Sequence, residues 1–393
     1  MTVLRPTPES GAPEGAWPNA IDLNDHLLGR VESDPSHPTL LLVGGLHGNE
    51  PAGVRAIQRV FERLQRDGLQ LRCTLIGLAG NLPALRRGRR FVEGDLNRMW
   101  GAGYRSSEGQ EGQARQSLQA LIGRAIDRAR GPVVLLDLHS TSSGGAPFAL
   151  VGDTLNNRRL ARCLPVPLVL GLEESVEGTL LAYLGDLGHG ALGFEGGAHA
   201  DPQTLDHHIA AIWLTLVACG ALERGDLHDH RALHDMLRGA SQGLPAVVEV
   251  RHRHPVTRED RFRMAPGHAN FGPVSRGQVI AHDAAGEVLS PSGGVLLLPL
   301  YQGEGEDGFF IGRRVPRASL IASRFLRALG ADRWVSLLPG VSCSPGFERR
   351  VVVHSEARNT WPSRVLRMLG YRRRDETNLQ SVLFRHRERP EDP

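Results

Sequence analysis

Lysine is missing from this chain: every one of its 46 basic residues is an arginine. Selection for planar, two-pronged anion contacts would place arginine at particular positions. Here the replacement is global, so it reflects codon bias and singles out no site. Cysteine is scarce as well, with four in 393 residues (Cys73, Cys163, Cys219 and Cys343) and no Cys-x-x-Cys pair. That spacing excludes a disulfide framework and a thiolate zinc site, and three of the four lie in apolar runs where Cys acts as a small core residue. Charge of one sign is not in excess. A formal net charge of +3 over this length gives no argument for nucleic-acid binding. No apolar run approaches the roughly 20 residues of a membrane span, and the first residues lack the charged and apolar regions of a signal peptide. A cytoplasmic protein with neither a membrane nor a nucleic acid as partner is the expectation.

What remains is an ordinary globular composition, 40% apolar and 23% charged. Residues 1–20, rich in Pro, Gly and Ala, are expected to be loosely ordered. From about 38 to 223, short apolar strands alternate with amphipathic helices. Leu40–Val43, Leu71–Leu78, Val133–Leu138, Val166–Leu170 and Ala191–Phe194 read as strands. Helices are expected over Pro51–Gln65, 114–129, Thr179–Leu187 and 203–222, the first with Val54, Ile57, Phe61 and Leu64 on one face. This alternation predicts an α/β class: a three-layer domain with a mostly parallel mixed sheet over 21–243. After residue 244 the pattern changes to short strands between Gly and Pro, which predicts a small all-β module over 244–315. A C-terminal α+β extension of unassigned role follows over 316–393. There is no internal repeat.

Ligands of such sheets gather beyond the carboxyl ends of the strands, and three motifs fall there. In Leu41-Leu42-Val43-Gly44-Gly45-Leu46-His47-Gly48-Asn49-Glu50, a buried strand turns at a glycine pair into a histidine with a carboxylate three residues on. Val133 to Leu138 ends in His139. Two imidazoles and a carboxylate suit a zinc ion with one coordination position open, the arrangement of a catalytic site. Glu195, between Phe194 and Gly196-Gly197 at another strand end, could be a general base. Between these lies Arg89-Arg90-Phe91-Val92-Glu93-Gly94-Asp95-Leu96-Asn97-Arg98, where Arg98 could hold a carboxylate in two-pronged fashion and Asn97 could add a directional hydrogen bond.

His47-Gly48-Asn49-Glu50, Asp95-Leu96-Asn97-Arg98, Asp137-Leu138-His139 and Phe194-Glu195-Gly196 together resemble the succinylglutamate desuccinylase and aspartoacylase family, a branch of the zinc carboxypeptidase-like fold. The resemblance implies one zinc per chain, held by His47, Glu50 and His139. It makes Glu195 the base and later the acid, and sets Arg90 to polarise the scissile carbonyl. Asn97 and Arg98 would grip a substrate carboxylate, and Tyr301 of the β module would close over the substrate. One departure stands out. The family's aspartoacylases place an arginine about ten residues before the catalytic glutamate to contact the acyl carboxylate, and here Gly185 falls there. The reading is therefore a zinc-dependent amidohydrolase acting on a small N-acyl amino acid or amine, with a short, uncharged acyl group. A metallocarboxypeptidase-like peptidase and a non-catalytic binding protein on the same fold are the alternatives; the retained base argues against the last. A homo-oligomer is compatible with the sequence. His207, His208, His228, His230 and His234 are expected at the surface, and His199 near the site.

Overall fold

A computed structural model describes residues 24–101, 108–343, 350–354, 357, 360–376 and 380–384; the expectation for residues 1–20 falls outside them. Its elements, in chain order, are β1 (Leu27–Val31), β2 (Thr39–Gly44), α1 (Ala52–Arg66), β3 (Thr74–Ala79), α2 (Leu82–Arg87), α3 (Gly109–Arg128), β4 (Val133–Thr141), β5 (Phe148–Val151), α4 (Leu155–Ala161), β6 (Leu168–Leu170), α5 (Leu180–Asp186), β7 (Gly190–Ala198), α6 (Gln203–Ala218) and α7 (His230–Ala240). There follow β8 (Val247–Pro255), β9 (Arg263–Met264), β10 (Pro273–Val274), β11 (Val279–Asp283), β12 (Gly286–Leu289), β13 (Gly294–Leu297) and β14 (Asp307–Arg314). The chain closes with α8 (Arg317–Ala328), β15 (Val341–Cys343), β16 (Arg350–His354), α9 (Trp361–Met368), β17 (Arg372–Glu376) and β18 (Gln380–Phe384).

The three layers follow from the period of two along the central strands. Leu40, Leu42, Leu136 and Leu138 enter one core, with Ile57, Val60 and Leu64 of α1 and Trp213 of α6. Leu41, Val43, Val133 and Leu135 enter the other, with Leu118 and Ile122 of α3 and Leu184 of α5. Each fully buried leucine or isoleucine contributes about 1.5–3 kcal/mol, so both faces of β2 and β4 are fixed at once. The strand order is β1-β3-β2-β4-β7-β5-β6-β8-β14-β13-β10. β3, β2, β4 and β7 run parallel, whereas β5 opposes β7 and β1 opposes β3.

The structure departs from the sequence reading in several places. The helix expected to reach residue 222 ends at Ala218, because Cys219 and Gly220 turn the chain; Gly220 has φ +73°. The strand expected from Leu71 starts at Thr74. Four of the β-module strands extend the catalytic sheet: β6 pairs in parallel with β8, and β14, β13 and β10 continue outward. β9, β11 and β12 form a separate three-stranded sheet. The C-terminal extension packs α8 and α9 with a four-stranded sheet, β15-β16-β18-β17. Asp153, fully buried after β5, joins it to the rest by pairing with Arg158, Arg327 of α8 and Arg372 of β17. Burial would raise the Asp153 pKa, but the three guanidinium groups outweigh it and hold the carboxyl far below its ordinary value.

Candidate functional site

The parallel register sets the site. β2 ends at Gly44, and Gly45 then takes φ +72°, a conformation open to glycine at little cost. The turn carries His47 and Glu50 to the sheet rim, with the Glu50 amide donating to the His47 carbonyl at 3.1 Å. Glu50 precedes α1, whose amino end favours a negative charge. On β4, His139 sits directly beside Glu195 of β7. All four side chains are buried and line one cavity of about 120 Å³ with Arg90, Asn97 and Arg98.

Each histidine lies between two carboxylates. His47 Nδ1 is 2.9 Å from Glu50 Oε1 and its Nε2 is 3.1 Å from Asp95 Oδ1. His139 Nδ1 is 3.1 Å from Glu50 Oε2 and its Nε2 is 3.0 Å from Asp137 Oδ2. The outer carboxylates therefore hold the Nε2 protons, and the Nδ1 atoms converge on Glu50. A divalent cation placed there would take the place of the two inner protons, and the outer carboxylates would orient the imidazoles as they do metal-ligating histidines. The three ligand atoms lie within 4.8 Å of one another, so the donor set fits a divalent metal. The charges agree with that geometry. Burial would raise the Glu50 carboxyl, but the His47 charge and hydrogen bonds from both imidazoles hold it well below the usual range. Burial would lower His139, but the Asp137 and Glu50 carboxylates hold it well above its ordinary value. Asp95 is likewise held low against burial by His47 and Arg90.

Glu195 is different. Burial pushes its pKa up to about 8, and the neighbouring Glu50 and Asp137 charges add to the rise over the opposing pull of His139 and Arg90. Its Oε2 has no hydrogen-bond partner among the described residues, and neither has Arg90 Nε. Arg90 is steadied by Asp95 Oδ2 at 3.0 Å. At Gly196 an added Cβ would meet His208 Nε2 at 2.5 Å; that nitrogen donates to the His139 carbonyl at 2.8 Å. Glycine after the glutamate thus lets His208 brace the strand that carries His139. His207 and His208 are buried and not at the surface as expected, because α6 is covered by the sheet on one side and by α1 and α7 elsewhere. Burial pulls His208 down to about 4, so it braces as a neutral ring.

Two expected substrate contacts are differently employed. Arg98 lines the cavity, but its Nη2 donates to Asp307 Oδ2 at 3.0 Å and its Nε lies 3.5 Å from Glu306. Asn97 Oδ1 accepts from the Leu180 amide at 2.9 Å and so secures the start of α5. Tyr301 is not brought to the cavity: 40% exposed, its hydroxyl donates to the Ala265 carbonyl and accepts from the His268 amide. Neighbours along an extended segment face opposite ways, so Leu300 and Gln302 line the cavity while Tyr301 faces out. Gln302 also accepts from Asn49 Nδ2 at 2.8 Å, which ties the β module to the loop that carries His47 and Glu50. His199, expected near the site, bonds Ser140 Oγ at 2.7 Å, and the Ser140 amide donates to Glu50. The sequence reading missed Asp137 and Asp95 as orienting groups. Asp137 carried a signal, two residues before His139 on the same strand face.

Comparison with known proteins follows the same residues. Residues 36–211 match the family model described as the succinylglutamate desuccinylase/aspartoacylase catalytic domain. A succinylglutamate desuccinylase from Pseudomonas fluorescens is 35% identical over 129 residues, 31% of this chain and 38% of its own length. One from Pseudomonas paraeruginosa is 28% identical over 275 residues, 66% of this chain and 79% of its own. Among solved structures, the succinylglutamate desuccinylase/aspartoacylase from Rhodobacter sphaeroides superposes with a TM-score of 0.54 at 19% identity, covering 73% of this chain and 88% of its own. This likeness establishes the fold.

Proposed function

Since the chain carries the catalytic domain of the succinylglutamate desuccinylase/aspartoacylase family, we propose that it is a zinc-dependent amidohydrolase that removes a short acyl group from a small amine or amino acid. The observation that carries this reading is the convergence of His47, Glu50, His139 and Glu195 on one buried cavity. His47, Glu50 and His139 would hold one zinc per chain. Zinc bound there supplies Lewis acidity and lowers the pKa of an attacking water.

The protein's own groups account for the remaining work. Glu195 takes the proton of the attacking water and passes it to the leaving nitrogen. The carboxyl tuned upward by burial suits both halves of that exchange. Arg90, with an unpartnered Nε, faces the charge that develops on the carbonyl oxygen. Asp95 and Asp137 keep the two imidazoles in the tautomer that turns Nδ1 inward. The acyl group is short and uncharged. Gly185 stands where a second arginine would be needed, and Arg90 and Arg98, the guanidinium groups lining the cavity among the described residues, already face carboxylates. The confined volume and the β-module wall of Leu298, Leu300 and Gln302 disfavour a long peptide and so the metallocarboxypeptidase alternative. No helix among the described residues is long and apolar enough to cross a membrane.

The test joins metal content to turnover. Purified protein loaded with zinc should hold about one equivalent and release amine from N-acetyl amino acids. His139→Ala should lose both the metal and the activity while keeping the far-ultraviolet dichroism of the fold. Full metal content in that variant, or trimming of long peptides as fast as acetate release, would overturn the reading.

A further inference from the structure

The six most exposed large hydrophobic side chains among the described residues all lie in the C-terminal extension: Ile321, Phe325, Leu329, Trp334, Leu337 and Trp361, each more than half exposed. Their spacing is regular. Ile321, Phe325 and Leu329 recur every four residues and so share one face of α8. Trp334 and Leu337 stand three apart in the 3-10 turn Ala331–Leu337, one turn of such a helix, and Trp361 opens α9. The inner face of α8 is already engaged, with Ser323 and Arg327 buried and both donating to the Met368 carbonyl. Between these faces runs the ridge of Leu320 and Arg324, which borders a cavity of about 1130 Å³ between α4, α7 and α8. Arg159, Arg162 and Arg238 line it too, and with Arg324 they make no ion pair or side-chain hydrogen bond among the described residues. Asp235, the one acidic side chain on this lining, faces Arg231 and His234.

Charge is distributed to match. Residues 316–393 hold 15 arginines against 8 acidic residues, a formal +7, while residues 1–315 hold 31 basic against 35 acidic, a formal −4. The small net charge of the whole chain thus conceals a basic end. We propose that this end is a docking surface for a bilayer that contains anionic phospholipid. The apolar face of α8 and the turn after it enter the acyl boundary, and the arginines of the neighbouring groove hold headgroup phosphates. Charge complementarity decides between occupants. A second copy would pair the patch with itself, setting Arg317, Arg324 and Arg333 against their own counterparts. A nucleic acid would match the arginines but leave the apolar side chains in water. An anionic lipid surface satisfies both, and tryptophan rings settle at such an interface. The expectation of no membrane partner rested on the lack of a span, which a surface contact does not need. The inference is independent of the deacylase reading, so either can fail alone.

The test sediments the purified full chain with phosphatidylcholine vesicles that contain or lack phosphatidylglycerol. The protein should pellet with the anionic vesicles alone and should be released as salt is raised. Phe325→Ser should weaken partitioning by at least about 10-fold, the lower end of what burial of one phenylalanine contributes. Arg159→Gln combined with Arg162→Gln should weaken it by about 30-fold, at roughly 5-fold for each arginine near the surface. All three positions are exposed, so the far-ultraviolet dichroism of both variants should match wild type. Equal sedimentation with neutral and anionic vesicles, or with neither, overturns the proposal. Binding that falls with the arginines but not with Phe325→Ser also overturns it, because the apolar face of α8 then plays no part. A dimer in sedimentation velocity that Phe325→Ser dissolves gives the face to a second copy instead.

Discussion

Replacing Glu195 by Gln keeps the shape of the side chain and removes its proton chemistry, and two independent quantities should respond. In the zinc-loaded protein turnover should drop by about 100- to 10,000-fold, the usual range for a general base and acid, with metal content unchanged. In the metal-free protein the effect is on stability. Burial holds the carboxyl protonated up to about pH 8, whereas in the unfolded chain it ionises near its ordinary 4.5. Between those values the native state binds one proton more than the unfolded state, so this group makes stability fall as pH rises, by about 1.4 kcal/mol per unit. From pH 5.5 to 7.5 the wild type should therefore lose roughly 2–3 kcal/mol that Glu195→Gln does not. Urea unfolding of both proteins, stripped of metal, at the two pH values reads the difference. Parallel stability changes would refute the elevated pKa, and turnover within a few-fold of wild type would show that another group is the base.

Asp137→Asn should leave the three ligands in place but weaken zinc binding by about 10- to 100-fold, read by competition with a chelating dye, since it loosens the hold on His139 Nε2. Asp153→Ala should cost about 3–5 kcal/mol in urea unfolding, because it leaves the buried Arg327 and Arg372 without their shared counter-charge; a loss below about 1 kcal/mol would mean that the guanidinium groups find water or other partners.

The positions of His47, Glu50 and His139 at strand ends were legible because strand ends declare themselves: an apolar run, two glycines and a histidine need no knowledge of distant chain. The same holds for α1, whose stripe of Val54, Ile57, Phe61 and Leu64 is buried as the helical period requires. What sequence alone could not supply was pairing between remote segments. That His139 and Glu195 are neighbours depends on the β4–β7 register. β5 was overlooked because four residues flanked by Gly145, Pro147 and Gly152 read as loop. Asp307 sits in a Gly-Glu-Gly-Glu-Asp-Gly stretch that looks like a solvated turn, and only the fold brings it to Arg98. Tyr301 failed for a simpler reason: a shift of one residue along an extended segment exchanges inside for outside. His207 and His208 were misplaced because a helix with neighbours on most sides presents no polar face to mark the buried imidazoles.

The continuity of the sheet from β2 through β8 to β14 has a mechanical meaning. Asp307 and Phe310 on one wall and His139 and Glu195 on the other hang from a single hydrogen-bonded plate, with seven residue pairs joining β14 to β8. To open like a jaw, the cavity would have to tear that ladder. The aperture is accordingly a fixed gauge, and what enters is sorted by size and charge before any motion of the chain can accommodate it.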